Sequence, residues 1–292
     1  MKQRKEYFIP DRELEPKRMS AYCHLMDYQR SEDVWHKHAF DELVIVRSGE
    51  GRHVTEHGSY PITRGDTFLI PRGQFHAYEK MKHLKIANLL FLRSALKEKC
   101  GDLAESPGYH VFFENSTRFK EEFRFNNSQP LSPENLQECE QIFSRMQMEQ
   151  NPPFSPGHRL MNELLFLNLC VIICRSFSDY GQKHSPEISK LGSLFLFMEK
   201  HHAEPLRLHE LARQAGRSIP SLTLLFRNAT DTSPIEYLNR IRLEIAARDL
   251  RETDSPISAI AFAHGFSDSN YFSARFTRLF GQSPRNYRKR FR

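Results

Sequence analysis

Between about Tyr22 and Phe91, apolar residues come in short runs: Glu42-Leu-Val-Ile-Val46, Gly51-Arg-His-Val-Thr55, Thr67-Phe-Leu-Ile70 and Leu84-Lys-Ile-Ala-Asn-Leu-Leu-Phe91. Turn signals at Ser48-Gly49, His57-Gly58 and Arg64-Gly65 separate them. The pattern predicts short strands in a sandwich or barrel. After about Pro130 the period changes. Leu136, Cys139, Ile142, Phe143 and Met146 recur at three- and four-residue steps behind a Ser132 N-cap and Pro133, which predicts an amphipathic helix. From Arg159 to Tyr180 the sequence is apolar around most of a helix, so it needs burial on two sides, in the subunit core or at a subunit interface. The polar stretch from Ser178 to Pro186 then predicts an interdomain linker.

Beyond it the periodicity is helical throughout. Leu194 to His201 predicts one helix, Leu208 to Ala215 a second closed by Gly216, and Ser218 caps a third that turns Leu222, Leu225 and Phe226 inward. Two helices around a tight glycine turn form a helix-turn-helix pattern, and the pattern recurs. Leu211-Ala212 matches Ile260-Ala261, Gly216 matches Gly265, and Leu225-Phe226 matches Arg275-Phe276, each 49 to 50 residues on. The closing Thr-Asp-Thr-Ser-Pro234 matches Phe-Gly-Gln-Ser-Pro284. Ile235 to Thr253 has helical spacing between the copies and predicts a rigid strut that sets two reading units toward successive major-groove segments.

A length of 292 residues predicts two domains, and 39% hydrophobic against 27% charged residues excludes a mostly disordered chain. The longest apolar run, Leu164 to Cys174, is too short to cross a bilayer and contains Asn168, and the N-terminus lacks a secretory pattern. The expectation is a cytoplasmic protein without a membrane partner. Cys23, Cys100, Cys139, Cys170 and Cys174 show no C-x-x-C pair and read as reduced thiols. Charge sharpens the picture: the net +6 lies wholly in residues 187–292, with 17 Lys and Arg against 11 Asp and Glu. A basic module of this kind suits nucleic acid, although anionic membranes or acidic proteins attract the same surface.

The run Ile-Ala-x-x-x-Gly-Phe-x-Asp-x-x-Tyr-Phe-x-x-x-Phe-x-x-x-Phe-Gly-x-Ser-Pro-x-x-Tyr-Arg, from Ile260 to Arg288, resembles the DNA-binding domain of the AraC/XylS family of bacterial transcription regulators. The resemblance covers the last hundred or so residues. It implies two recognition helices, binding to double-stranded promoter DNA, activation of transcription with RNA polymerase as a partner, and a homodimer. The first unit departs from the family: Leu224 stands where an arginine or polar residue is common, Pro220 is early in its helix, and Asp231 replaces a glycine. Leu224 can touch a thymine methyl but cannot clamp a guanine. By position the DNA-contacting residues are expected to be Ser221, Thr223, Leu224 and Arg227 in the first recognition helix, and Ser269, Asn270, Ser273 and Arg275 in the second.

In the strand-rich half, His36-x-His38-x3-Glu42-x6-Gly49 and Gly65-x5-Pro71-x-Gly73-x2-His76 resemble the two motifs of the cupin barrel. Alternation along a strand lets His36, His38, Phe40 and Glu42 point the same way. The set His36, His38, Glu42 and His76 suits a divalent metal, but Arg30 and Lys80 replace the flanking glycine and asparagine of the motif. A polar ligand pocket and a structural histidine cluster stay open beside it, and no cofactor is the leading expectation. Glu42-Leu-Val-Ile-Val, Gly49-Glu-Gly-Arg-His53, His76-Ala-Tyr78 and Asn88-Leu-Leu-Phe91 resemble the sensor arms of rhamnose-responsive AraC-type activators. This implies a sugar effector, with Trp35 or Tyr78 covering its apolar face and His36, His38, Glu42, Arg52 and His76 bonding its hydroxyls.

The fold expected is therefore α+β: a cupin-like sensing barrel (residues 1–125), a helical dimerisation segment and linker (126–186), and an all-α double helix-turn-helix domain (187–292). The rival is a cupin metalloenzyme, an isomerase or dioxygenase, fused to a DNA-targeting domain; a third reading is a dimerisation module with an empty pocket.

Overall fold

The computed structural model describes residues 6–9, 21–28, 34–93, 96, 99–114, 131–184 and 186–291. Seven strands form one sheet: β1 (Glu6–Ile9), β2 (Ala21–Tyr28), β3 (Trp35–His38), β4 (Asp41–Thr55), β5 (Ser59–Thr63), β6 (Thr67–Ile70) and β7 (His76–Phe91). Its spine is the antiparallel pair β4 and β7, in register from Asp41↔Phe91 to Thr55↔His76. The runs Glu42–Val46 and Gly51–Thr55, expected as two strands, are thus one strand of 15 residues. The Ser48-Gly49 signal marks a bulge, with the register shifting between Val46 and Arg52. A β-bulge bends a strand without ending it. Gly49 takes φ +76°, and a Cβ there would lie 2.2 Å from the His83 carbonyl oxygen, so no other residue fits unaltered. The His57-Gly58 and Arg64-Gly65 signals are real turns, which join β4 to β5 and β5 to β6.

Alternation along the spine sorts side chains to two faces. Leu43 and Ile45 of β4 and Ala87, Leu89 and Phe91 of β7 join one core; Val44, Val46, Leu84 and Ile86 join another, with Ile62, Phe68, Ile70 and Tyr78. The first core is covered by helices α1 (Pro133–Gln150) and α2 (His158–His184). Ser132 caps α1 by accepting from the Asn135 amide, and Leu136, Cys139, Ile142, Phe143 and Met146 are buried as their spacing predicts. Residues His158–Phe177 are long and apolar enough to match a membrane span, against the expectation that no run is, and 56% of that window is buried within the protein. Burial on the sheet and α1 accounts for that composition. The five cysteines are free and buried; burial raises Cys23, Cys139 and Cys174 to about 12, which keeps them protonated. The stretch from Ser178 to His184 continues α2 as helix, contrary to the expected irregular linker.

The helices also close an open strand edge. Gln147 of α1 donates to the Cys23 carbonyl at 2.8 Å, and the buried Asn162 of α2 donates to the Ala21 carbonyl at 2.7 Å. Both carbonyls belong to β2, which among the described strands pairs only with β7, so polar side chains of the covering helices satisfy backbone groups that another strand would otherwise hold.

The chain divides into two compact units, Met1–Gly192 and Ser193–Arg292, with α3 (Pro186–Lys200) spanning the division. The second unit holds α4 (Leu208–Gln214), α5 (Ile219–Thr230), α6 (Pro234–Glu252), α7 (Ile257–Ala263), α8 (Ser269–Phe280) and α9 (Pro284–Arg290). The sequence repeat is a structural repeat: α4 and α7 each have 7 residues, α5 and α8 each have 12. Ser218 and Asp268 cap α5 and α8, and Asp231 and Gly281 end them in the left-handed region at φ 60° and 73°. The α+β class expected from the sequence is what the chain adopts.

Replacing Asn162 by leucine, which keeps the branched side-chain shape without a donor, strands the Ala21 carbonyl in the core. The expected loss is about 1–3 kcal/mol of stability in urea unfolding; an unchanged midpoint would show that this carbonyl needs no donor.

Candidate sensor cluster and candidate nucleic-acid interface

Register brings the histidines of the first unit together. His36 lies opposite His76 across β3 and β7, and His53 lies opposite Tyr78 across β4 and β7. The ring centroids are 4.2 Å apart for His36 and His76, 5.3 Å for His38 and His76, 5.7 Å for His53 and His76, and 5.6 Å for His53 and Tyr78. Both nitrogens of His38 face oxygens, the Phe40 carbonyl at 2.6 Å and Glu42 Oε2 at 3.0 Å. Burial, with His36, His53 and His38 alongside, holds His76 well below the usual histidine range. A neutral His76 donates from Nδ1 to the Gln74 carbonyl at 3.4 Å, which leaves Nε2 a bare acceptor. Burial, then Glu42 and Tyr28, push Tyr78 well above the usual phenol range, so its hydroxyl keeps its proton.

The cluster can bind by donating and accepting hydrogen bonds, or it can ligate a cation. His36, Glu42 and His76 offer ligand atoms within 4.8 Å of one another. His38, the fourth member of the expected metal set, is engaged with Phe40 and Glu42, so the donors at hand are two imidazoles and one carboxylate. Those three fit a divalent first-row metal that keeps open positions.

Trp35 and Arg52 stand apart from this cluster, contrary to their expected place in it. Trp35 alternates with His36, stacks on Phe75 at 5.9 Å and packs with Val54 and Ala77. Arg52 alternates with His53, and its guanidinium donates to the Ser59 hydroxyl and carbonyl at 2.7 and 2.6 Å. His53 and Tyr28 hold the places that reasoning from the sequence left unassigned: Tyr28 lies 5.6 Å from Tyr78, ring to ring. Parity was the available signal, since His53, not Arg52, falls opposite Tyr78.

In the second unit, burial defines the outward faces of the two recognition helices. On α5 the exposed residues are Ile219, Pro220, Leu224, Arg227 and Asn228; fifty residues on, α8 exposes Asn270, Tyr271, Ala274, Thr277, Arg278 and Leu279. Leu224 is 60% exposed and Ile219 41%, apolar side chains among the outward residues of α5. Exposed Arg285, Lys289 and Arg290 of α9 add positive charge nearby in sequence.

The family model described as an AraC-like ligand binding domain matches residues 20–169, and one described as a helix-turn-helix domain matches residues 211–290. The chain belongs to the AraC family of transcription regulators. It is similar to the HTH-type transcriptional activator RhaR of Mannheimia succiniciproducens, 31% identical over 256 residues that cover 88% of this chain and 87% of that protein. It is also similar to the HTH-type transcriptional activator RhaS of Escherichia coli, 30% identical over 263 residues, covering 87% of each. Among solved structures, an AraC-type regulator from Chromobacterium violaceum is 32% identical, covers 35% of this chain and 91% of its own, and has a TM-score of 0.34. This AraC-family chain is a DNA-binding regulator with a ligand-binding domain, and its relatives carry the names of activators, not of a metalloenzyme.

The residues expected to read DNA divide into two groups in this regulator. Leu224, Arg227 and Asn270 lie on the outward faces. Ser221, Thr223, Ser269 and Ser273 are half-buried: Ser221 accepts from Arg217 at 3.1 Å, and Thr223 donates back to the Ile219 carbonyl at 2.9 Å. Arg275 departs most from its expected role. It occupies the repeat position of Leu225, a core residue of the first unit, and it is ion-paired with Glu236 at the start of α6. Asn228, Ala274, Thr277 and Arg278 join the faces without having been singled out, although the spacing of buried Leu222, Phe226, Phe272 and Phe276 implies them.

Replacing Asn270 by alanine should lower preference for the regulator's operator over random duplex by about 1–3 kcal/mol. Replacing Arg275 should weaken both duplexes equally, because its partner is Glu236. Competition binding at fixed salt separates the two outcomes, and a selective loss for Arg275→Ala would assign it to a base.

Proposed function

We propose that this regulator is a cytoplasmic, homodimeric activator that recruits RNA polymerase to promoter DNA when a sugar occupies its histidine cluster. One observation carries the effector reading. Glu42 Oε1, His76 Nε2 and the Tyr78 hydroxyl are buried and have no hydrogen-bond partner among the described residues. Each orphaned group costs about 1–3 kcal/mol unless something binds it. A carboxylate oxygen, a bare imidazole nitrogen and a phenol offer two acceptors and a donor, the complement of hydroxyls that both donate and accept. The resemblance of the sensor arm to rhamnose-responsive regulators makes a deoxyhexose the leading effector. A divalent metal is the second reading, favoured by the convergence of His36, Glu42 and His76.

A thermal-shift panel of L-rhamnose, other deoxyhexoses and pentoses, with and without chelator and divalent metals, tests both. A ligand at a hundred times its dissociation constant adds about 2.7 kcal/mol, or roughly 5–11 °C for a unit of this size. The sugar reading requires a sugar-specific shift that ignores chelator; a shift with metal alone assigns the cluster to metal instead.

The dimer reading rests on α2, where Leu160 and Leu164 are 62% and 52% exposed and continue into half-buried Leu167 and Val171 at four- and three-residue steps. Such an apolar stripe suits a second helix of the same kind. Leu164→Arg should give a folded monomer in sedimentation equilibrium, and an unchanged mass would place the subunit contact elsewhere.

A further inference from the structure

The two helix-turn-helix units match in length and capping but not in the chemistry of their outward faces. Fifty residues separate equivalent positions of α5 and α8, so Pro220 corresponds to Asn270, Thr223 to Ser273 and Leu224 to Ala274. A recognition helix meets base edges with its N-terminal residues. On α5, Leu224 follows the buried Leu222 by two residues, about 200° around the helix, and so points straight away from the core. Pro220 lies one turn before it on the same outward face.

The polar groups beside these two residues are engaged within the protein. The Ser218 hydroxyl caps α5 by accepting from the Ser221 amide at 3.3 Å. The Ser221 hydroxyl accepts from the Arg217 guanidinium at 3.1 Å, and the Thr223 hydroxyl gives its only hydrogen to the Ile219 carbonyl at 2.9 Å. Arg227 and Asn228 belong to the second half of the helix. The half of α5 that meets base edges is therefore faced by a proline ring and a leucine. At the place of that proline, α8 carries the exposed Asn270 carboxamide, which both donates and accepts.

A leucine in the major groove gains only by apolar contact, and the apolar group displayed there is the 5-methyl of thymine. We propose that Leu224 is a specificity-determining residue through which α5 selects a 5-methylpyrimidine, packing on the methyl group and making no hydrogen bond to that base. The two units then read by different means, the first by a methyl group and the second by a hydrogen-bonding edge. Because the methyl is the feature read, 5-methylcytosine, which carries it at the same ring position, is accepted where cytosine is rejected.

The test uses the full-length protein at fixed salt and a duplex that it selects from a random-sequence pool. Each thymine is exchanged in turn for uracil, which lacks only the methyl. At one thymine the exchange should weaken the wild type about fourfold, the effect of returning one methyl group to water. The same exchange should leave the affinity of Leu224→Ala unchanged; Leu224 is exposed, and alanine keeps the helix. With cytosine at that position, methylating its C5 should tighten wild-type binding by a similar factor and leave the variant as it was. The proposal is overturned if no thymine shows a loss confined to the wild type, or if 5-methylcytosine binds the wild type no better than cytosine. It is equally overturned if Leu224→Ala binds every duplex as the wild type does and loses only promoter output, which would assign the leucine to a protein partner.

Discussion

The sensor unit depends on the parity of one pair of strands. Because β4 and β7 stay in antiparallel register over nearly their whole length, each residue's face is fixed by whether its number is odd or even on either side of the bulge. Leu43, Ile45, Leu89 and Phe91 go to the helices; Glu42, Val44, His76 and Tyr78 go to the other face. A slip of one residue would bury the imidazoles against α1 and α2 and turn the leucines into the polar cluster. The bulge at Gly49 sets the bend without breaking that ladder, and the close approach of the His83 carbonyl is why a residue without a Cβ stands there.

The same parity explains where reading the chain residue by residue falls short. The composition of the cluster was legible: His36, His38, Glu42 and His76 were singled out by spacing, and their rings and carboxylate converge. Trp35 and Arg52 were chosen for their chemistry, an aromatic plane and a guanidinium, yet each sits one residue from a cluster member and so faces away. Strand lengths were less legible, because a glycine that allows a bulge and a glycine that makes a turn look alike in sequence. At Gly49 the partner strand, not the local residues, decides the outcome.

The helical unit was more legible because helix caps and repeats are local signals. Ser218, Asp268, Ser233 and Ser283 all cap as their residue type implies, and both recognition helices end on left-handed residues. Asp231 takes the left-handed position that Gly281 fills in the second copy; aspartate tolerates it better than most residues with a Cβ. Arg275 shows the limit of the chemical signal. An arginine on a recognition helix suggests a base contact, whereas its alignment with Leu225 marks a position turned inward.

That alignment also separates the two reading units physically. The first is anchored by Leu225 and by the packing of Phe226 on Phe195 and Tyr237, ring centroids 5.7 and 5.6 Å away. Apolar burial of this kind varies little with salt or with pH. The second has an apolar core of its own around Phe272 and Phe276, but at its borders stand the Arg275–Glu236 ion pair and the His264–Asp249 contact. Partly exposed charged contacts weaken with ionic strength. Two copies of one motif, nearly superimposable in length and capping, therefore differ in what holds them.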